Sequence, residues 1–284
     1  MSVIQSALLG LVQGLSEFLP ISSSGHLNLM QALLQIDLTH QLLFNILLHV
    51  GSLIAVLLVF WRDWLQMILH PIRNKTILLL VVASLPALVA KLLLGDALEA
   101  LGTNNALLGV SFLFTGLLLI LTQAISVRNQ RRHLTGETVG VFHALMMGLM
   151  QAVGMLPGVS RSGATIFGGV STRLTRESAA KFSFMMSMPA ILASFLSEGY
   201  SAYREGTLAQ TGDITAILVG MIAAGVSGYL AIRFMLKIIT KVSLNWFALY
   251  VVLLGIAVLA MQATGVIPGA PLHLTPVVTA VPLP

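Results

Sequence analysis

Two short polar segments contain the residue types that could do chemistry in this sequence. The first runs from Gln13 to His26 and includes Glu17 and three consecutive serines; the second runs from Pro157 to Thr165 and includes Arg161 between two serines. Serine hydroxyls, a carboxylate, an imidazole and a guanidinium are groups that bind phosphates, move protons and attack phosphorus. Both segments stand among apolar runs, where unpaired ionisable groups are costly, so they mark a working site.

The elements that position these segments must be membrane helices. Hydrophobic residues make up 57% of the 284-residue chain and charged residues only 9%, against about 25% charged residues in soluble domains. Apolar stretches close to the ~20 residues that a helix needs to cross the hydrocarbon recur along the chain. They cover 39–60, 76–94, 105–125, 178–198, 214–236 and 244–263. The sequence therefore predicts an all-α integral membrane protein with six transmembrane helices.

The composition also excludes several classes of protein. The net charge is +5, but the basic residues cluster between the spans, where orientation in the membrane explains them, so we expect no nucleic-acid partner. The chain has no cysteine, which excludes disulfides, thiolate metal sites and thiol catalysis. No Walker A, GxGxxG, HExxH or GxSxG pattern stands in a usable context, which removes P-loop, dinucleotide, zincin and serine-hydrolase interpretations.

The two polar segments belong to a weak internal repeat, because residues 10–25 align with 148–163 without a gap. Each copy has an apolar helix, a Pro/Gly break, a serine-rich turn and a second short apolar segment. Neither arm is long enough to cross the bilayer. We therefore interpret residues 2–36 and 138–172 as two re-entrant helical hairpins, with a proline-kinked ordinary span as the alternative.

Three full spans separate the hairpins, so the hairpins are expected to enter from opposite sides. Threaded in this way, most loop arginines and lysines fall on one side, which the positive-inside rule makes cytoplasmic. Both termini and the first hairpin then face the exterior. We expect one membrane domain built from two inverted repeats, 1–125 and 126–284, each with one hairpin and three spans.

Each hairpin should place a helix N-terminus inside the protein, since serine is a favoured N-cap. Backbone N–H groups and the helix dipole favour an anion there, and Arg161 adds a forked, permanently charged donor. Pyrophosphate is the expected ligand. The alternatives are plain capping for the serines and, for Arg161, a contact with lipid headgroups at the cytoplasmic rim.

Glu17 lies four residues after Gln13, so the two share a helix face. The Glu17 carboxyl would ionise beside Arg161 or hold a proton in an apolar wall, and either form could act as a general base or proton carrier. His26 follows Ser22 by about one helical turn, and a Ser–His–Glu group suffices for attack on phosphorus. A purely structural role is the alternative for both residues.

A divalent cation, Mg²⁺ or Ca²⁺, could bridge Glu17 and the phosphates, because hard cations prefer oxygen ligands. With Gln13 in place of a second carboxylate, that site would be weak. His49, inside the first full span, has no partner in this scheme, so we expect it to serve packing or a helix–helix hydrogen bond.

At these residues the chain resembles, over nearly its full length, the bacterial undecaprenyl-diphosphate phosphatase family of the bacitracin-resistance type. Two motifs carry the resemblance. The first is a (Glu/Gln)-x-x-x-Glu box at Gln13 to Glu17, running on through Phe-Leu-Pro-Ile-Ser-Ser-Ser-Gly-His; the second is Pro-Gly-x-Ser-Arg-Ser-x-x-Thr at Pro157 to Thr165. The resemblance implies hydrolysis of the terminal phosphate of undecaprenyl diphosphate, which returns the lipid carrier to peptidoglycan synthesis. It also implies the bacterial inner membrane and a site that opens to the periplasm.

The resemblance also assigns roles to individual residues. The expected catalytic residues are Glu17, Ser23, His26 and Arg161. For diphosphate binding the resemblance gives Ser160 and Thr165, with Gln13 as the variable position, and the serine-rich turns add Ser22 and Ser162. The position of Gln13 varies in the family, and members with Glu there have one more carboxylate than this chain. Glu17 is therefore the cation ligand expected here. The attacking atom stays open between Ser23, His26 and water.

The expected partners are a polyprenyl diphosphate lipid and membrane lipids, with a homodimer left open. The Met-rich stretch 185–188 and the apolar outer faces could receive the isoprenoid chain, although methionine is also common core filler. A transporter or flippase of an anionic polyprenyl lipid suits the inverted repeat equally well, with Glu17 as a coupling-proton site and Arg161 as a headgroup clamp. Release of free phosphate separates the two functions.

Overall fold

The structure, a computed structural model, describes residues 1–36, 42–70, 74–102, 105–204 and 213–267. Over these ranges the chain forms eleven α-helices and no strand, which confirms the all-α prediction. The helices are α1 Val3–Phe18, α2 Ser23–Leu33, α3 Leu42–Val59, α4 Trp61–Leu69, α5 Thr76–Gly102, α6 Leu108–Arg131, α7 Val141–Val153, α8 Arg161–Ser171, α9 Arg176–Arg204, α10 Ile214–Ile238 and α11 Asn245–Ala263.

Among the described residues, five helices are long and apolar enough to cross a membrane, namely α5, α6, α9, α10 and α11. A sixth span results if α3 and α4 count as one element, which bends by 74° at residue 60. The six predicted apolar stretches therefore overlap six helical elements, with residues 39–41 of the first stretch outside the described residues. The chain is a multi-pass membrane protein.

Helix α4 is absent from the sequence prediction, which ends a span at residue 60. Its charged residues, Arg62 and Asp63, are typical of a loop, but Met67 is buried and Trp64 packs against the main core. The Lys181 Nζ ammonium on α9 donates to Asp63 Oδ1 across 2.7 Å. Tertiary contacts therefore keep this short segment helical after the bend.

The two predicted hairpins are pairs of short helices, α1 with α2 and α7 with α8. The second helix of each pair starts at a serine N-cap, as predicted: Ser22 accepts from the Gly25 N–H and Ser160 from the Gly163 N–H, both at 3.1 Å. The turn before α8 contains Gly158 at φ +81°, a conformation that favours glycine. Ser22 itself has φ +75°, so the first turn holds a strained backbone directly beside the candidate site.

Each hairpin packs along a long helix from the other half of the chain. Helix α1 lies against α10, where a Cβ placed on Gly14 would come within 2.6 Å of the Gly228 nitrogen. Helix α7 lies against α5, where a Cβ placed on Gly148 would meet the backbone of Ala83. Small residues allow this close approach of membrane helices, and the approach fixes the position of Glu17, three residues after Gly14.

The largest buried cluster joins α1, α3, α4, α5, α7, α8, α9 and α10. Its fully buried members include Phe18, Ile166, Met186 and Ile232. Met185 is also buried in this cluster. These two methionines therefore fill the core, which was the packing alternative for the Met-rich stretch.

Candidate active site

The centre of the site is an ion pair between the two hairpins. Glu17 lies at the end of α1 and Arg161 is the first residue of α8. Arg161 Nη2 donates to Glu17 Oε1 across 2.6 Å, and the two side chains are 19% and 5% exposed. The structure therefore brings together the predicted carboxylate and the predicted guanidinium in a mostly buried position, where charges must be paired to be tolerated.

The second oxygen of the same carboxylate collects two more hydrogen bonds. Glu17 Oε2 accepts from Gln13 Nε2 at 3.0 Å and from Ser23 Oγ at 2.5 Å. The predicted shared face of Gln13 and Glu17 is confirmed. Because Ser23 donates its proton to this oxygen, the carboxylate is placed to receive that proton if the hydroxyl reacts.

His49 on α3 is a fourth neighbour of Glu17, so it makes a polar contact between helices with a partner that the sequence did not indicate. Its Nε2 lies 3.8 Å from Glu17 Oε2, and its Nδ1 lies 2.7 Å from the carbonyl oxygen of Asn45, one turn earlier. The sequence holds no signal for this contact, because it depends on how α3 lies across the end of α1.

The serines of the second motif join the two hairpin turns. Ser162 Oγ donates to the Leu19 carbonyl at 3.1 Å, and the Ser160 N–H donates to Thr115 Oγ1 on α6 at 3.0 Å. The two serine hydroxyls lie 3.2 Å apart. These contacts place the N-terminus of α8 against the end of α1, as the expected convergence of the two turns requires.

Thr165 lies one turn along α8 and is fully buried. Its hydroxyl donates to the Arg161 carbonyl at 2.9 Å and lies 2.6 Å from Ser183 Oγ on α9. Its hydrogen bonds therefore hold α8 on α9, and a contact of this hydroxyl with a diphosphate stays a prediction.

His26 lies on α2, three residues after Ser23, so the two side chains share a helix face. Its Nδ1 lies 2.7 Å from the Ser22 carbonyl oxygen and its Nε2 lies 2.7 Å from Tyr250 Oη on α11. In the described part of the chain, no hydrogen bond or ion pair joins His26 directly to Glu17 or Arg161. Ser23, on the same face of α2, is the residue that contacts Glu17.

Sequence reasoning missed Tyr250, a neighbour of His26 that is 224 residues away in the chain. Nothing around Tyr250 resembles a motif, and an aromatic residue in an apolar span is ordinary. Only the packing of α2 and α11 beside α6 brings the phenol to the imidazole.

Few side chains at the site could bind the predicted divalent cation. The described residues contain no group of three or more His, Asp or Glu side chains that could hold a metal ion. Gln13 Oε1 is buried without a hydrogen-bond partner and lies on the residue that also contacts Glu17. This free oxygen fits one ligand of a hard cation whose other ligands come from Glu17, phosphate oxygens and water.

Comparisons with known proteins find relatives that match nearly the whole chain. The family model described as bacitracin resistance protein BacA matches residues 6–257. A protein named undecaprenyl-diphosphatase from Carboxydothermus hydrogenoformans is 39% identical over 265 residues, which cover 93% of this chain and 99% of the relative. A protein of the same name from a Polaromonas species is 37% identical, covering 95% and 98% of the two chains. Undecaprenyl-diphosphatase 4 of Bacillus cereus is 36% identical, covering 94% and 100%.

Proposed function

The chain belongs to the bacitracin resistance protein BacA family, and from this premise we propose that it removes the terminal phosphate of undecaprenyl diphosphate. The products are undecaprenyl phosphate and inorganic phosphate, and the monophosphate re-enters peptidoglycan synthesis. The observation that carries the proposal is the contact of Arg161 with Glu17 at 2.6 Å, beside two helix N-termini. A guanidinium that can bind phosphate therefore lies next to a carboxylate that can accept a proton.

Arg161 and the starts of α2 and α8 hold the diphosphate. A guanidinium has five N–H donors and Arg161 uses one of them on Glu17, so further donors can bind phosphate oxygens. The helix N-termini capped by Ser22 and Ser160 add backbone N–H groups and the positive ends of two dipoles. These fixed donors stabilise the negative charge of the phosphoryl group during transfer.

Ser23 is the nucleophile that the hydrogen bonds favour. Its Oγ attacks the terminal phosphorus, the bond from that phosphorus to the bridging oxygen breaks, and undecaprenyl phosphate leaves. Glu17 Oε2, 2.5 Å from Ser23 Oγ, takes the hydroxyl proton. Water then attacks the phosphoserine, phosphate is released, and the proton returns to Ser23.

His26 has a supporting role, and a divalent cation would add a second. His26, one turn from Ser23 on the same face of α2, is placed to take a proton from the attacking water. Gln13 Oε1 and Glu17 would hold a divalent cation, Mg²⁺ or Ca²⁺, that neutralises charge on the phosphates. His49 borders the same carboxylate oxygen and encloses the site from α3.

The orientation and the inverted repeat are part of this proposal. Residues 1–125 and 126–284 form the two repeats, supported by the matching contacts of α1 with α10 and of α7 with α5. The N-terminus, the end of α11 and the opening of the site face the periplasm, supported by the excess of basic residues in the loops on the opposite side. A homodimer stays a prediction.

Phosphate release in detergent tests the function directly. Purified protein mixed with undecaprenyl diphosphate is expected to release one phosphate per lipid and to stop at the monophosphate. A preparation that moves the lipid across a reconstituted vesicle but releases no phosphate would instead support the flippase alternative, which the names of the relatives do not favour.

A further inference from the structure

The imidazole of His26 is held at both nitrogens and on two sides of the ring. Nδ1 contacts the Ser22 carbonyl and Nε2 contacts Tyr250 Oη, each at 2.7 Å. The Tyr250 ring stacks on the imidazole with a centroid distance of 5.7 Å and an interplanar angle of 17°. The buried ring of Phe112 meets it edge-on at 5.3 Å. Few orientations of the imidazole are compatible with this set of contacts.

These contacts determine the tautomer of His26. A backbone carbonyl only accepts hydrogen bonds, so Nδ1 must carry a hydrogen. In the neutral imidazole the lone pair is therefore on Nε2, and the Tyr250 hydroxyl donates to it. The nitrogen that can take up a proton is the one that faces Tyr250.

The Tyr250 hydroxyl can form a hydrogen bond with Nε2 in both protonation states of the imidazole. When Nε2 is neutral, Tyr250 Oη donates to it; when Nε2 carries a proton, the same oxygen accepts from it. Nε2 has a single lone pair, so the hydroxyl hydrogen must turn away before a proton reaches that nitrogen, and the same oxygen then accepts from the new N–H. A carboxylate or an amide nitrogen in that position would favour one of the two states.

Tyr250 is not needed to pack its own helix. Helix α11 contacts α6 through the face that contains Ala248, Val251 and Gly255, all buried. Tyr250 lies off this face and is 46% exposed. Its defined polar contact is with His26, so its position serves the imidazole.

We propose that Tyr250 is a positioning residue of the active site, which holds Nε2 of His26 in place while that nitrogen gains and loses a proton. This inference rests on the proposed phosphatase function for the role of His26. The tautomer and the hydrogen bond are independent of that function.

Tyr250→Phe is the test, because it keeps the stacked ring and removes only the hydroxyl. With nitrogen-15-labelled histidine, the His26 signals can be assigned among the seven histidines by comparison with His26→Gln. We expect wild-type protein to show one tautomer with hydrogen on Nδ1. In Tyr250→Phe, the Nε2 resonance should move toward that of a free lone pair while the Nδ1 signal stays.

Kinetics give the second readout. Losing one hydrogen bond to a reacting group should lower kcat about tenfold. KM should stay within about twofold, because the proposed diphosphate site at Arg161 and the starts of α2 and α8 does not include the phenol. In a His26→Gln background, adding Tyr250→Phe should not lower kcat any further. The matched control is Tyr229→Phe, whose hydroxyl binds Arg233 on α10 and whose loss should leave both readouts unchanged.

The outcomes separate the two proposals. An unchanged Nε2 resonance in Tyr250→Phe, or an additive loss in the double variant, would overturn the role of Tyr250. Wild-type protein that releases no phosphate would refute the proposed function, while the resonance shift would still report the hydrogen bond.

Discussion

Arg161 and Glu17 are 144 residues apart in sequence and 2.6 Å apart in space. Each residue lies at a break between two short helices, and each is the only charged side chain of its motif. The ion pair therefore joins the two halves of the chain at the point where a phosphate would bind, and it makes the activity sensitive to small changes on either side.

Replacing Arg161 by Lys should lower turnover by about 10²–10³-fold, since one fixed donor to the developing charge is lost. Lys keeps the positive charge beside buried Glu17, so folding should be preserved, whereas Ala would leave that carboxylate unpaired. Phosphate release and a thermal melt measure the two effects. Arg233→Lys, an exposed change on α10, is the control. Near-normal turnover in Arg161→Lys would contradict the role of the guanidinium.

Glu17→Gln should lower kcat by about 10²–10⁴-fold, the usual contribution of a general base. The amide keeps the size of the side chain but cannot take the Ser23 proton. Phosphate release under saturating substrate measures the loss. Glu177→Gln, at an exposed position on α9, should behave as wild type; an active Glu17→Gln enzyme would mean that another group accepts the proton.

Wild-type protein should become phosphorylated when it is mixed with substrate that is labelled on the terminal phosphate. Ser23→Ala should not become labelled. Acid quenching within the first turnover, followed by peptide mapping, should place the label on Ser23. Ser24→Ala is the neighbouring control, and it should retain both label and turnover. Label on His26, or rapid turnover by Ser23→Ala, would assign the attack to a different nucleophile.

Gln13→Glu should make the enzyme more dependent on a divalent cation. A carboxylate at position 13 adds negative charge next to Glu17, which a cation would neutralise and Arg161 alone would not. We expect lower activity than wild type in chelator and a larger recovery with Mg²⁺. Gln13→Leu, which cannot bind a cation, should show no recovery beyond that of wild type. Equal responses of Gln13→Glu and wild type would argue against a cation at this position.

Gly14→Ala should lower stability by about 1–3 kcal/mol, the usual cost of overpacking, because the added methyl group meets the backbone of α10. Activity should fall with it, since Glu17 is on the next turn. Thermal denaturation in detergent measures the loss. Gly95→Ala on α5, where a Cβ meets nothing within 4 Å, should be neutral or slightly stabilising. Equal melting temperatures would show that α1 and α10 can separate without penalty.

The sequence predicts the elements of this fold well, because apolar length and serine caps are local signals. The starts of α2 and α8 and the shared face of Gln13 and Glu17 follow from spacing alone. Helix α4 escapes prediction because the contacts that keep it helical, such as that between Asp63 and Lys181, lie outside its own sequence.

The site is predictable only where a motif contains its residues. Glu17, Ser23 and Arg161 stand in recognisable patterns, and the structure brings them together. His49 and Tyr250 are single polar or aromatic residues in apolar helices, and their contacts depend on which neighbour each helix meets. One sequence carries no information about that choice.

The exchange of hairpins between the halves also sets an order of assembly. Ser6 on α1 donates to the Ala216 carbonyl on α10, 210 residues later. At about 5–20 residues per second, the ribosome needs roughly 10–40 s to make that stretch. During this time α1, which carries the Glu17 carboxylate, is in the membrane without its contact to α10. The enzyme therefore becomes active only near the end of its synthesis. A chain released before α10 is made would lack the helix against which α1 packs.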